Sequence, residues 1–500
     1  MSNDEKRSSS NRPDARKQEN PFDKNRPQNS SGDRPDARSA GPRPPAGRPG
    51  EIRRTPLDAR EAAYRVLSAV EDEGTYANIA IRRVFHNALI NDADKRLATE
   101  IAMGTLRRQM LLDWWIDSLL TRPLQFAQVR RMLRMAAYQI AFLDRVPDSA
   151  AVDEAVKLAR WHGFDALTGF VNGVLRKLAA SWRDIALPDP LRDPVKRLSV
   201  ESSTPEWIVR LWVGAYGQET AEALCGQDYR GGISMMANPL KMSTDALDAR
   251  LAAKGIEATP GRVWPDCRVL SRVGDIAADE DFEEGRTLVI GEASAWAASL
   301  IGAKPGMRIL DACAAPGGKS MVMAMQAGNQ AHIDAWDLHT HRVGLLQASV
   351  HRMGLDCIHP AVRDAKDPSP AGEEGYDAVI LDAPCSGLGT LSHRPELALR
   401  MQRKDITNLA SVQLQLLQAN AKRVKQGGVL VYATCTLTHE ENRDVVAAFL
   451  RAWPEFRPEL PADMLPQGVD PARVEQGTLT LLPHIDGCDG FFVARMIRRV

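Results

Sequence analysis

Arg308-Ile309-Leu310-Asp311-Ala312-Cys313-Ala314-Ala315-Pro316-Gly317-Gly318-Lys319-Ser320 decides the fold. A short apolar run ends in an acid, and a turn rich in small residues and glycine follows. This is the pattern of a strand that delivers a ligand-binding loop and then a helix. Strand-like runs recur downstream at Ala331–Asp337, Ile358–Val362, Ala378–Asp382 and Val429–Ala433. Helical stretches intervene, notably Arg342–Met353, with Gly354 at a C-cap position, and Asp405–Lys425. The alternation predicts an α/β core, a doubly wound and mostly parallel Rossmann-like sheet over about 286–500. Two further strands, Leu479–Leu482 and Phe491–Met496, are expected to add antiparallel at its side.

Ligands of such sheets collect beyond the carboxyl ends of the strands. Leu381-Asp382-Ala383-Pro384-Cys385-Ser386-Gly387 and Ala433-Thr434-Cys435-Thr436 both follow strands, so two thiols and an acid should meet the Asp311–Ser320 loop in one crevice. Gly318-Lys319-Ser320 ends like a phosphate-binding P-loop, but the glycine which that pattern requires at position 313 is Cys313. Ala378–Asp382 also has the form of a Walker B strand, so spacing alone leaves a nucleotide triphosphatase open. A nicotinamide enzyme is disfavoured by the lack of GxGxxG. Asp337, at the end of the second strand, is placed to accept hydrogen bonds from ribose hydroxyls. Asp364, after the third strand, is placed to meet an adenine edge. Both favour an adenosyl cofactor.

These segments resemble RNA (cytosine-5) methyltransferases of the Sun/Fmu/NOL1 family, for which Cys-Ala-Ala-Pro-Gly-Gly-Lys is nearly a signature. The resemblance implies S-adenosyl-L-methionine as cofactor, contacted by Cys313, Ala314, Ala315, Pro316, Gly317, Gly318, Lys319, Asp337, Asp364 and Asp382. Lys319 is expected either to meet the cofactor carboxylate or to lock the loop onto Asp382. The resemblance also implies Cys435 as the nucleophile that adds to cytosine C6, with Cys385 assisting proton removal and product release. Asp382 would contact the base edge. Cytosine C5 is a poor nucleophile, and adding a thiolate to C6 activates it. Cys225, Cys267, Cys357 and Cys488 read as buried small hydrophobes. A metal held by Cys313, Cys385 and Cys435 would lack paired ligands at a known spacing, so no metal is expected.

Upstream, the pattern is helical from Thr55 to about Ala180, with breaks at Gly74, Pro123, Pro147 and Gly163. Thr55-Pro56-Leu57-Asp58 reads as a helix start with Thr55 as N-cap. Ala59–Leu67 and Phe170–Leu178 resemble the NusB-like RNA-binding bundle that precedes the catalytic domain in the family's bacterial 16S rRNA enzyme. Arg107, Arg108, Arg130, Arg131 and Arg134 are candidates for a basic face. The expected division is a disordered tail over 1–52, a NusB-like all-α domain over 53–185, a small α+β subdomain over 186–285 and the methyltransferase domain over 286–500. Within the subdomain, Ile233–Ala237 and Arg268–Leu270 are strand-like.

Lys+Arg and Asp+Glu both number 64, so bulk charge carries no argument for nucleic acid. No run of 18 apolar residues suggests a membrane span, and the first residues lack an apolar leader. Free thiols then favour the reducing cytoplasm. The expected partner is RNA, with 16S rRNA first and tRNA as the alternative. No membrane and no obligate protein partner is expected. A non-catalytic RNA-binding or ribosome assembly factor is the other class to weigh.

Overall fold

The structure is a computed structural model, and it describes residues 55–226, 232–271, 276–368 and 375–500. The expected tail over 1–52 lies outside the described residues.

Residues 59–181 form seven α-helices: Ala59–Glu73, Ala77–His86, Asp92–Arg107, Gln109–Leu119, Ala127–Phe142, Asp148–Trp161 and Thr168–Ser181. Each turns an apolar stripe inward, as Ala62, Ala63, Val66, Leu67 and Val70 do in the first. Gly104 permits a close helix crossing, since a Cβ there would lie 1.9 Å from the Tyr138 ring. The first helix does not start at Thr55. Asp58 caps it by accepting from the amides of Arg60 and Glu61. Thr55–Pro56 (β1) instead pairs in parallel with Ala88–Leu89 (β2). Asp58 can reach two orphan amides at once, and this outweighs the Thr-Pro start signal.

Three more helices, Pro194–Ser202, Glu206–Tyr216 and Gln218–Gly226, lead to a four-stranded antiparallel sheet. Its strands are Ile233–Ala237 (β3), Ala258–Pro260 (β4), Cys267–Leu270 (β5) and Thr287–Val289 (β6), in the order β4-β5-β3-β6. The last strand lies beyond the expected division at 285, yet it pairs with β3. Ile208 and Trp212 pack against Leu388, Ile406 and Leu437 of the catalytic region.

The large sheet contains Arg308–Asp311 (β7), His332–Asp337 (β8), Ile358–Val362 (β9), Tyr376–Asp382 (β10), Val424–Thr434 (β11), Phe456–Pro458 (β12), Thr478–Leu481 (β13) and Phe491–Arg498 (β14). Its order is β12-β14-β11-β10-β7-β8-β9, with β13 also paired to β14. The strands from β9 to β11 are parallel, and β14 runs antiparallel to β11. Alternate side chains enter opposite layers. Ile309, Ile380 and Val431 pack with Met321, Leu346 and Val350 on one face. Leu310, Val379, Leu381 and Tyr432 pack with Leu417, Val445 and Phe449 on the other. The chain runs outward from β7 through β8 to β9, then returns to lay β10 on the other flank of β7. This reversal is the switch point at which open α/β sheets bind ligands.

Among the described residues, no helix is long and apolar enough to cross a membrane. Nor does any group of three or more His, Cys, Asp or Glu among them converge to hold a metal ion.

Candidate active site

The sequence-predicted residues fall at five neighbouring strand ends. In spatial order these are Cys435 after β11, Asp382 and Cys385 at β10, the 313–319 loop after β7, Asp337 at β8 and Asp364 after β9.

The loop after β7 is held by short backbone bonds. The Ala314 amide donates to the Trp336 carbonyl at 2.7 Å, and the Gly317 amide to the Ala314 carbonyl at 2.7 Å. The Ala315–Pro316 peptide is cis. Gly317 has φ +106°, and a Cβ there would lie 2.3 Å from Leu346 Cδ1. No other residue fits this position without strain. The helix Gly318–Gln326 starts immediately after it. Lys319, in the first turn, is buried and donates from Nζ to Asp382 Oδ2 at 2.6 Å and to Ser294 Oγ at 3.3 Å. Its ammonium also sits 5.5 Å from the centre of the Phe491 ring. A P-loop lysine must reach out to phosphates. This one is committed to a carboxylate, and it locks the loop to β10.

Two more acids line the crevice on the β8 and β9 side. Asp337 accepts from the His339 amide at 3.0 Å and pairs with Arg342 Nη1 at 3.1 Å. Arg342 Nη2 also donates to the Ala315 carbonyl at 2.6 Å, which joins the acid to the loop. Asp364 is partly exposed and accepts from the Lys366 amide at 2.9 Å. Asp311, beneath the loop, accepts from Ser320 Oγ at 2.6 Å, and burial pushes its carboxyl up to about 7. Burial and the surrounding acids Asp311, Asp337 and Asp382 push the Cys313 thiol up. Spaced carboxylates that accept hydroxyl and amine donors, beside a turn with no side chain at Gly317, suit the adenosyl and amino-acid parts of S-adenosylmethionine.

The two thiols meet. Cys385 Sγ lies 3.3 Å from Cys435 Sγ, although fifty positions separate them in the chain. Parallel pairing brings β10 and β11 to a common end, where the Ala383 amide donates to the Ala433 carbonyl at 2.9 Å. Beyond it, the Gly389 amide donates to the Cys435 carbonyl at 3.0 Å. Contact with the Cys435 thiol, then burial, then the charges of Glu441 and Asp382 hold the Cys385 thiol well above its ordinary range. Cys267, Cys357 and Cys488 are buried as expected, whereas Cys225 is only partly so.

Sequence reasoning missed Glu441 and Asn442. Both are fully buried beneath the thiol loops. Asn442 accepts from Thr434 Oγ1 at 2.5 Å and donates to the Thr436 carbonyl at 2.9 Å. Glu441 accepts from the Ser386 amide at 2.8 Å, Ser386 Oγ at 2.6 Å and Thr438 Oγ1 at 2.7 Å. The available signal was the polar run Glu440-Glu441-Asn442, which begins five residues past Cys435, just where a buried strand passes into a helix.

Of the five arginines that were candidates for a basic face, Arg130, Arg131 and Arg134 are neutralised by acids. Arg131 is 1% exposed and is bonded to Glu71, Asp72 and Ser68. Arg134 pairs with Asp113 and Glu71, and Arg130 with Asp113 and Asp117. Arg107 donates to the Ser392 carbonyl at 3.2 Å, and the Arg108 guanidinium lies over the Phe142 ring. Arg130, Arg131 and Arg134 fasten helices together, because acids on neighbouring helices neutralise them, whereas Arg107 and Arg108 have no acidic partner among the described residues.

Comparison with known proteins agrees with this geometry. Residues 298–497 match the family described as 16S rRNA methyltransferase RsmB/F. Residues 57–180 match the NusB family, and 204–277 match the ferredoxin-like domain of RsmF/B-like methyltransferases. The chain is 36% identical over 444 residues to a probable ribosomal RNA small subunit methyltransferase B of Bacillus subtilis (strain 168), covering 88% of this chain and 98% of that protein. A namesake from Synechocystis sp. is 34% identical over 446 residues, covering 88% and 99%. The solved structure of PH0851 superposes with a TM-score of 0.75 at 27% identity, covering 88% of this chain and 99% of that one. The NSun6 structure from Pyrococcus horikoshii, at 21% identity and a TM-score of 0.53 over 59% of this chain and 98% of its own, shares the fold. Two relatives above 30% identity, matched along almost their whole length, settle the lineage: the chain belongs to the RsmB/F family of S-adenosylmethionine-dependent RNA methyltransferases, with a NusB-like helical bundle ahead of its catalytic core.

Proposed function

We propose that this protein methylates C5 of a cytosine in 16S rRNA through a covalent adduct with Cys435. The observation that carries the reading is the 3.3 Å contact between the Cys385 and Cys435 sulfurs at the ends of β10 and β11, beside the switch point of the sheet. One thiol suffices for a buried small hydrophobe; two in contact at the ligand crevice suit a reaction with a nucleophilic and a proton-transfer step.

Cys435, as thiolate, forms a bond to C6 and pushes electron density onto C5. S-adenosylmethionine, when bound, supplies the electrophilic methyl group. Cys385 then takes the C5 proton, the electrons of the C5–H bond restore the C5–C6 double bond, and the Cys435 Sγ–C6 bond breaks. Asp382 is anchored through Oδ2 by Lys319. Its Oδ1 has no bond among the described residues, and we assign it to the N3/N4 edge of the base. Protonation at N3 makes C6 more electrophilic. Cys313–Lys319, Asp337 and Asp364 hold the cofactor, and Asp382 serves both sites. The target base must leave its stack to reach the thiols, which assigns RNA recognition to the bundle and the small sheet. A cytoplasmic enzyme would keep both thiols reduced. The small-subunit rRNA assignment rests on the names of the relatives above.

The test is transfer of labelled methyl from S-adenosylmethionine to protein-free 16S rRNA, with tRNA in parallel, followed by nucleoside analysis. The expected product is 5-methylcytidine in 16S rRNA. Label in tRNA alone would keep the chemistry and overturn the substrate. No label in either RNA or in small-subunit particles, with cofactor bound, would favour a non-catalytic RNA-binding role.

A further inference from the structure

Glu441 is fully buried, yet its carboxylate is saturated with donors from both thiol loops. Oε1 accepts from the Ser386 amide at 2.8 Å and Gln413 Nε2 at 3.1 Å. Oε2 accepts from Ser386 Oγ at 2.6 Å and Thr438 Oγ1 at 2.7 Å. Thr436 Oγ1 has one proton to place between Oε2, at 3.2 Å, and Ser386 Oγ, at 2.7 Å. Ser386 directly follows Cys385, and Thr436 directly follows Cys435. Gln413 extends the network to the Pro384 carbonyl at 2.9 Å, one residue before Cys385. One carboxylate is thus tied to the neighbour of each thiol. Burying a carboxylate is expensive even when its bonds are complete, and neutral groups could have joined the loops.

We propose that Glu441 is a positioning residue that sets the spacing of the Cys385 and Cys435 sulfurs and, through its negative charge, divides their roles. This rests on the two-thiol reading above. The groups facing Cys385 are the Cys435 thiol, Glu441, Asp382 with its partner Lys319, and the buried Tyr432. Glu441 and Asp382 put negative charge next to Cys385, and with the Cys435 contact and burial they keep its thiol protonated. The nucleophile's role is then left to Cys435, and only a thiolate is nucleophilic. Once Cys435 is bonded to C6 its thiolate charge is gone, so Cys385 can release its own proton to solvent and then take the proton from C5. Neighbours that orient reacting groups in this way govern rate with little effect on binding.

The test compares the full-length protein with Glu441→Gln, which keeps the shape and removes the charge. The hydroxyls of Ser386, Thr436 and Thr438 can rotate to accept from the new amide. Alkylation by iodoacetamide is followed at each cysteine across pH by peptide mass analysis, without RNA. In the unaltered protein Cys435 should react at lower pH than Cys385. In E441Q the Cys385 midpoint should move down and the selectivity for Cys435 should fall by about tenfold. kcat for methyl transfer should fall by about 100-fold with cofactor affinity unchanged. An unchanged order of alkylation, with kcat within about threefold, would overturn the proposal. If E441Q no longer binds cofactor, Ser386→Ala decides. That variant removes one donor and leaves the charge, so a drop in kcat of about fivefold or more with the alkylation order preserved supports positioning, and an unchanged kcat overturns it. Should the unaltered protein form no 5-methylcytidine, the reaction assigned above fails while the alkylation order still judges Glu441.

Discussion

Arg400 Nη2 donates to the Val70 carbonyl at 2.7 Å, across 330 positions of chain. The same guanidinium reaches the carbonyls of Thr75, at 2.7 Å, and Gly74, at 2.8 Å. One turn earlier, Glu396 Oε1 accepts from the Ala77 amide at 3.0 Å. The turn between the first two bundle helices is therefore stapled to the segment that follows Cys385. Arg400→Ala leaves three carbonyls without their charged donor and should lower stability by about 2 kcal/mol, read as an earlier urea midpoint. An unchanged midpoint would mean that water replaces the guanidinium at no loss.

The two cysteines should separate on a denaturing gel with substrate RNA. Cys435→Ala should yield neither methylated RNA nor a covalent complex. Cys385→Ala should form the complex and retain it, with turnover reduced by about 10²- to 10⁴-fold, the range for loss of a proton-transfer group. A covalent complex formed by Cys435→Ala would reverse the assignment.

Asp337 touches the loop through Arg342 and stands where the cofactor's hydroxyls are expected. Asp337→Ala should weaken S-adenosylmethionine binding by about 10- to 100-fold, the equivalent of one or two charge-assisted hydrogen bonds. Calorimetric titration measures this, and unaltered affinity would remove Asp337 from the site.

Asp311 supplies a pH signature. Its folded-state carboxyl is pushed up to about 7 by burial, against 3.8 as the ordinary value. Between these values the folded protein holds a proton that the unfolded chain has released, so stability falls as pH rises through this window and levels off above it. The penalty is at most about 4 kcal/mol at pH 8. Asp311→Asn keeps an acceptor for Ser320 and carries no charge. Its stability should change less between pH 5 and 8 than that of the unaltered protein, and parallel curves would show that Asp311 does not titrate there.

The central strands of the large sheet could be read from sequence because they are buried and write apolar runs, as at Ala378–Leu381; the partly exposed edge strand Ile358–Val362 is also observed with the predicted bounds. The meeting of Cys385 with Cys435 was legible as well, since parallel neighbours end on one side. Other features depend on partners distant in sequence. Arg131 looks like a surface cation until Glu71 and Asp72, some sixty positions away, close over it. Glu441 looks like a solvated acid until Ser386 and Gln413 fold onto it. Charged residues are ambiguous in sequence for this reason, because the pattern does not say which acid meets which base. The Thr55 start failed more locally, where two candidate caps competed and the one reaching two amides won.

The position of β14 has a consequence for the timing of folding. Residues 429–434, which lead into Cys435, are flanked by β10 on one side and by Phe492–Ile497 on the other. During synthesis β10 and β11 emerge well before β14, so the nascent chain passes through a stage in which β11 is an unprotected edge. Such an edge invites pairing with other chains. Docking of residues 491–498 closes this edge, so mutations that weaken β14 should reduce the yield of folded protein more than they affect the activity of the molecules that fold.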